Sequence, residues 1–466
     1  MKYSFKKNHI KMLSDTTTPV NIYLKLRDIF PGAFLLESSD YHGNANSFSY
    51  ICFKPIANFR YFKSKITETE LGQDERSYEV KSKAGVLDAL KVFSSGFTIE
   101  KDGKTDFIPG GIFGYITFDA VTCFEEIDFA NVQSEIPDMS YSFFQFIIAI
   151  NHFKNEMHVV ELLQEQQESE IQSVLSFLKQ QSPASYPFKT ISEEVSNYTD
   201  EEFLSVLEKG KQHIFRGDVF QLVLSRRFTS KFKGDDFNVY RALRSINPSP
   251  YLFYFDFGSY KIFGSSPEAQ LQIKNNKAKL FPIAGTFRRT GDAAADAFLA
   301  EKLKNDPKEN SEHVMLVDLA RNDLSKSGTN VSVVNYKEIQ YYSHVIHLVS
   351  EVTSELEENA GVLDILSDTF PAGTLSGAPK YKALQLIDRY ENTSRSFYGG
   401  CIGFLNNEGD FNHAITIRSF LSKDNTLHYQ AGAGLVESSV IENELEEVNN
   451  KIRVLRQALV LANELN

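Results

Sequence analysis

The chain has 466 residues, a formal charge of −12, 42% hydrophobic and 24% charged content. This is an ordinary globular composition, long enough for a large core and, by length alone, for two or three domains, while the acidic balance argues against a nucleic-acid partner. No run reaches the roughly 18 apolar residues of a membrane span, the lysines of the first twelve residues flank no signal-peptide core, and Cys52, Cys123 and Cys401, odd in number and far apart, speak against disulfides or zinc and for buried free thiols in a reducing cytoplasm.

In chain order, Phe34–Ser38 and Tyr50–Phe53 read as strands, Gly110–Ile116 as a glycine-rich strand entry, and Phe144–Ile150 and His158–Leu163 as further strands. Glu165–Lys179 reads as a polar helix. Residues 181–197, rich in Ser, Pro and charge and without periodicity, read as the linker between an N-terminal region, 1–180, and a C-terminal region, 198–466. Glu201–Phe215 is an amphipathic helix and Asp218–Ser225 a strand with Gln221 on the face of Val219 and Val223. Tyr251–Phe255 and Tyr260–Gly264 form a hairpin, and Lys279–Thr286 is one more strand running into a turn. No strand–helix alternation, P-loop or dinucleotide fingerprint occurs, which predicts an α+β fold of antiparallel sheets with helices packed outside.

The densest stretch is Pro371–Lys380, with two glycines, two hydroxyls and two prolines directly before a helical stripe at Ala383, Leu384, Ile387 and Tyr390. Ser376 is placed to cap that helix, with Pro379 in its first turn, and such a glycine-rich entry presents backbone N–H groups to an anion. Two carboxylate pairs sit on other helices. Asp306 caps one, Pro307 opens it, and Glu309 and Glu312 share a face. Glu444 and Glu447, with Lys451, run beside the buried stripe Leu445, Val448, Ile452, Leu455 and Leu459 of the C-terminal helix. Taken singly, each glutamate is more readily a surface residue; four converging would suit a hard cation such as Mg²⁺, which keeps waters and shares substrate oxygens. His344 and His347 on their own read as core or surface histidines.

Six ordered motifs then weigh together: Pro282–Thr286, Asp318–Leu324, Pro371–Lys380, Tyr398–Gly400, Ala414–Arg418 and Gln430–Gly434. They resemble the chorismate-utilising enzymes, strongly over about residues 200 to 465 and more weakly at Leu35–Ser38, and most resemble the members that aminate chorismate to open the route to tryptophan. The resemblance implies a two-sheet sandwich with helices outside. It implies a substrate pocket of Gly285, Thr286, Thr374, Tyr398, Arg418, Gly432, Ala433 and Gly434, with Arg418 as the fork for a chorismate carboxylate. It further implies Glu312 and Glu447 as direct Mg²⁺ ligands, Glu309 and Glu444 holding its waters, and Lys451 beside that site. Glu268 corresponds to the general acid for the departing 4-hydroxyl, and His347 to a residue acting in the later loss of pyruvate.

The position of Gln221 holds a water-activating lysine in isochorismate and salicylate synthases, and that of Ala284 a lysine in aminodeoxychorismate synthases. A glutamine and an alanine here favour direct attack by ammonia over those alternatives. None of the three cysteines sits in a glutaminase setting, so a separate glutamine amidotransferase subunit is expected to supply ammonia in a heterodimer or heterotetramer. Tryptophan is expected to inhibit by feedback from a site formed by Glu37, Ser38, Pro250, Tyr251 and Leu252. The absence of tryptophan, against 38 Phe and 21 Tyr, suits a chain made when that amino acid is scarce.

Overall fold

The architecture is organised by one long ladder. Met139–Asn151, thirteen residues buried throughout, pairs antiparallel with Phe48–Phe62 along almost its whole length. The computed structural model describes residues 3–38, 47–80, 82, 84–100, 105–130, 134–179, 182–341, 345–357 and 361–465; His344 lies outside them. At Lys54 the partner strand takes a left-handed φ of 59°, and the register shifts between Pro55 and Ala57. Such an irregularity bends a strand and increases its twist, and the two halves of the ladder continue into different layers.

Phe34–Glu37 extends the first half, followed by Tyr251–Asp256, Tyr260–Ser266, Ser419–Lys423, Thr426–Leu435 and Gln221–Gly234. Gly111–Ile116 extends the second, followed by Cys401–Asn406, Phe411–Ile415, Ala269–Lys274, Lys277–Leu280 and Val345–Leu356. All these pairings are antiparallel. The layers face each other across an aromatic interior, where the Tyr115 and Tyr260 hydroxyls meet at 2.7 Å. Helices lie outside: Ile441–Ala462 buries Val448, Ile452, Leu455 and Leu459 toward Thr426–Leu435, and Pro307–Leu324 lies over Ile283–Arg288. This is the α+β sandwich expected from the alternating strands and amphipathic helices.

Segments from both sides of residues 181–197 share the sheets and one hydrophobic core: Phe34–Glu37 pairs with Tyr251–Asp256, and Gly111–Ile116 with Cys401–Asn406. Within 181–197, Phe188–Thr190 and Val195–Ser196 pair with the outer half of Gln221–Gly234. Cys52, Cys123 and Cys401 are buried free thiols. Among the described residues no helix is long and apolar enough to cross a membrane.

Four local expectations need correction. The helix read from Glu165 begins only at Ile171, because Glu161 accepts from the Glu170 amide and the Ser169 hydroxyl and holds the preceding residues in a turn. The strand read from Asp218 begins at Gln221 and runs to Gly234. Asp218 instead faces His213, with Oδ2 2.6 Å from Nδ1. Lys279–Thr286 is two strands, Lys277–Leu280 and Ile283–Arg288, since Pro282 supplies no ladder N–H. Ser376 caps no helix: its hydroxyl donates back to the Ala372 carbonyl at 3.0 Å, and Pro379 holds the cap position of Lys380–Tyr390.

Candidate active site

Pro371–Lys380 folds as a short 3-10 turn, Gly373–Leu375, and a two-residue bridge, Gly377–Ala378, against Gln221–Leu222. Gly373 allows this turn to sit on the helix Pro307–Leu324, since a Cβ there would lie 2.2 Å from Leu319 Cδ2. The turn carries Thr374, whose hydroxyl donates to Glu268 Oε1 at 2.8 Å. Glu268 follows the strand Tyr260–Ser266 and keeps some accessible surface, although its carboxyl sits deep among protein atoms, as a group on a pocket wall does. Burial pushes its pKa from 4.5 up to about 7, opposed by the Thr374 bond and the charge of Lys451.

Lys451 joins this corner to the C-terminal helix. Its ammonium donates to the Gly432 carbonyl at 2.8 Å and lies 2.6 Å from Glu447 Oε1, one turn earlier. Gly432 is closely walled: a Cβ would meet the Leu224 carbonyl at 2.8 Å, Ser225 Cβ at 3.0 Å and the Tyr398 hydroxyl at 3.2 Å. Two residues on, Gly434 borders the Gln221 amide, 3.2 Å from where a Cβ would stand. Gln221 is buried and its Oε1 has no hydrogen-bond partner.

Arg418 completes the opposite wall in a left-handed conformation, φ 50°. Burial lowers its pKa, while Tyr398 and Glu447 act against that. His347 lies close enough for Arg418 to depress its pKa further, after burial, and its Nδ1 is 3.3 Å from the Gly285 carbonyl. A carbonyl only accepts, so the proton sits on Nδ1 and Nε2 is the basic nitrogen of a neutral ring. Gly285, φ 73°, brings its backbone against the glutamate helix, where a Cβ would meet Glu309 Oε2 at 3.0 Å. Thr286 belongs to the same strand, with its side chain outside the described residues.

The structure thus links Glu268, Thr374, Lys451, Glu447, Gly432, Tyr398, Arg418, His347, Gly285 and Glu309 as neighbours, with Gln221 and Gly434 at one edge. Ala433 is buried within the same strand, opposite Leu224. The Asp306 carboxylate accepts from the Glu309 amide at 3.1 Å, as the capping reading requires, while Glu312 is half-buried, Glu444 is buried and Glu447 is exposed. Among the described residues no three His, Cys, Asp or Glu side chains converge on one metal position, so the expected convergence of four glutamates is not a preformed cage. The donors still fit Mg²⁺, which takes oxygen ligands, needs only one or two carboxylates and keeps its waters; Glu309 and Glu447 both reach pocket residues.

At the other predicted site, Glu37 is buried opposite Leu252 in the ladder. It accepts two bonds from Arg244, at 2.8 Å each, and one from the Tyr240 hydroxyl at 2.6 Å. Pro250 and Tyr251, which precede Leu252 in sequence, are half-buried, the Tyr251 hydroxyl accepting from Gln272, and Ser38 is half-buried at the end of the Glu37 strand. A separate open hollow of about 210 Å³, between Gly234, Ser259, Lys261 and Asp424, contains none of the predicted residues, and its Lys261 is already paired with Asp236.

The sequence reading missed Arg395 and Glu391, a buried pair packed behind these walls. Their four-residue spacing before Tyr398–Gly400 was the available signal.

Comparison with known proteins matches residues 32–457 to the family of chorismate binding enzymes. Anthranilate synthase component 1 of Aquifex aeolicus is 36% identical over 98% of this chain and 95% of its own length. The protein of the same name from Lactococcus lactis is 35% identical over 96% and 98%. Among solved structures, anthranilate synthase component I from Streptococcus pneumoniae aligns with a TM-score of 0.78 at 29% identity, over 96% of this chain and 99% of that one. The menaquinone-specific isochorismate synthase of Escherichia coli shares the fold, with a TM-score of 0.75 at 19% identity over 98% and 95%.

Proposed function

The chain belongs to the chorismate-binding enzyme family, and from that premise we propose that it is the large subunit of an anthranilate synthase, a lyase converting chorismate and ammonia to anthranilate and pyruvate. The observation that carries this reading is Glu268, a carboxyl held by the Thr374 hydroxyl, pushed up to about 7 by burial and lying in the field of Lys451, whose ammonium bonds the Gly432 carbonyl.

Arg418 pairs with a carboxylate of chorismate, and the backbone of Gly432 to Gly434 approaches the same anion closely because no side chain intervenes. Gln221, neutral and beside Gly434, offers its amide to an incoming ammonia but cannot deprotonate water. Ammonia forms the C2–N bond, the two ring double bonds shift, and the C4–O bond breaks as Glu268 delivers its proton to the leaving hydroxyl. Loss of the C2 proton, with His347 Nε2 as base, then breaks the C3–O bond, aromatises the ring and releases pyruvate. Glu312 and Glu447, with Glu309 and Glu444 through water, would hold Mg²⁺, which when bound neutralises and fixes the ring carboxylate.

Ammonia is supplied in this reading by a glutamine amidotransferase subunit. The three cysteines are buried, whereas a glutaminase needs an activated, accessible one; these free thiols also suit the cytoplasm. Tryptophan acts as feedback inhibitor in the groove of Ser38, Pro250, Tyr251 and Leu252, its ammonium sharing Glu37 with Arg244. Inhibition requires that it bind a less active state more tightly, so tryptophan and chorismate oppose each other.

The test is to incubate the purified chain with chorismate, Mg²⁺ and ammonium and follow anthranilate fluorescence. Anthranilate from ammonium, and none from glutamine without a second subunit, is expected. Isochorismate or a 4-aminated product would contradict the reading in favour of its sister activities.

A further inference from the structure

Arg395 is 1% exposed and makes four hydrogen bonds, two of them to groups other than its ionic partner Glu391. Two go to Glu391, from Nε at 2.9 Å and Nη2 at 2.6 Å. Nη1 donates to the Leu375 carbonyl at 2.6 Å and Nη2 to the Val223 carbonyl at 2.8 Å. On its other side Glu391 accepts from the Ser225 amide and hydroxyl, both at 2.8 Å, and Ser225 is the ladder partner of Gly432. The guanidinium carbon stands 4.5 Å from the Phe118 ring centre and 5.9 Å from that of Tyr398.

One planar cation therefore fastens three walls of the pocket from behind: the turn that carries Thr374, the strand that carries Gln221, and through Glu391 and Ser225 the glycine strand. Such a device is costly unless every donor is satisfied, and its fork geometry is not reproduced by lysine. It touches none of the groups proposed to meet substrate except the ring of Tyr398. We propose that Arg395 is a positioning residue for proton transfer, acting through Leu375 to hold the Thr374 hydroxyl on Glu268. This rests on the reading of Glu268 as the general acid.

The Thr374 bond lowers the Glu268 pKa, so releasing the turn raises it. Arg395→Lys keeps a charge against Glu391 but reaches at most one of the two carbonyls. The expected result is a folded protein with kcat down by about a hundredfold, as a misplacement of about 1 Å can cause, KM for chorismate within about threefold, and the alkaline limb of the pH profile moved upward. Thr374→Val should move the same limb, and Arg395→Lys added to it should move it no further, since both act on one bond. A folded Arg395→Lys enzyme with wild-type kcat and pH profile, or one changed only in KM, overturns the inference. If that variant does not fold, Arg395→Gln, which cannot hold the Leu375 and Val223 carbonyls together with Glu391, is read by the same two criteria. Glu268→Gln separates the premise: if it keeps activity the acid assignment falls, and if it is inactive while the Arg395 variants leave the limb unmoved, only this inference falls.

Discussion

Glu268 and Glu37 are both carboxylates withdrawn from solvent at the ends of two strands that flank Tyr251–Asp256 in one sheet, one facing Thr374 and the other Arg244. Glu37 has a guanidinium bonded to both oxygens and a tyrosine hydroxyl besides, which fixes the group and commits it to recognition or structure. Glu268 has a single hydroxyl and a lysine acting from a distance, and burial raises its pKa to about 7. The same side chain thus becomes a fixture or a proton donor according to whether burial comes with a cation. Only Pro267 separates Glu268 from the end of the strand Tyr260–Ser266, whose neighbour Tyr251–Asp256 pairs in turn with Glu37's strand, so the two regions share a short route through the sheet.

The comparison can be broken hardest at the carboxylates proposed for Mg²⁺. Glu312→Gln or Glu447→Gln should cut turnover by about a thousandfold or more with the fold intact, since each removes a charged oxygen ligand. Near wild-type turnover at low Mg²⁺ in either variant would remove that carboxylate from the pocket's function.

The Glu37 side is sharpened by Ser38→Phe, which places a ring in the proposed effector site beside a carboxylate already engaged by Arg244. Activity should persist while inhibition by tryptophan on the order of millimolar is lost. A wild-type enzyme indifferent to tryptophan, or a variant still fully inhibited, would leave Glu37 a structural pair and nothing more.

The smallest effect is thermodynamic. Because folding raises the Glu268 pKa from 4.5 to about 7, the folded state binds more protons at this group, and the stability it contributes is full below pH 4.5 and is lost as pH rises through 7. Glu268→Gln lacks that fall, so between pH 4 and pH 8 its unfolding free energy should gain on that of wild type by up to about 3 kcal/mol. Parallel stability curves would mean that Glu268 is not perturbed by burial.

Much of this was legible in the sequence because it depends on local chemistry. Alternating apolar strands, the Asp306–Pro307 helix start and the stripe of Ile441–Ala462 follow from periodicity and capping, and the residues proposed for the pocket come from motifs that the fold brings near one another. What sequence could not supply were contacts made by tertiary approach. Ser376 was read as a cap because capping is local, yet its hydroxyl turns back to Ala372. Glu37 looked available for a ligand until the helix Phe237–Ile246 delivered Tyr240 and Arg244 to it. Arg395 serves carbonyls 20 and 172 residues away, a role that no window of sequence contains.

The most direct test of the central claim is the pH profile of ammonia-dependent anthranilate formation, measured as kcat/KM for chorismate at a fixed concentration of free ammonia. The free enzyme needs Glu268 protonated, so activity should fall through an alkaline limb near pH 7, and Glu268→Gln should lower kcat by roughly a thousandfold and abolish that limb. A Glu268→Gln enzyme that keeps near wild-type activity, or whose residual activity falls through the same limb, would contradict the assignment of this carboxyl as the proton donor.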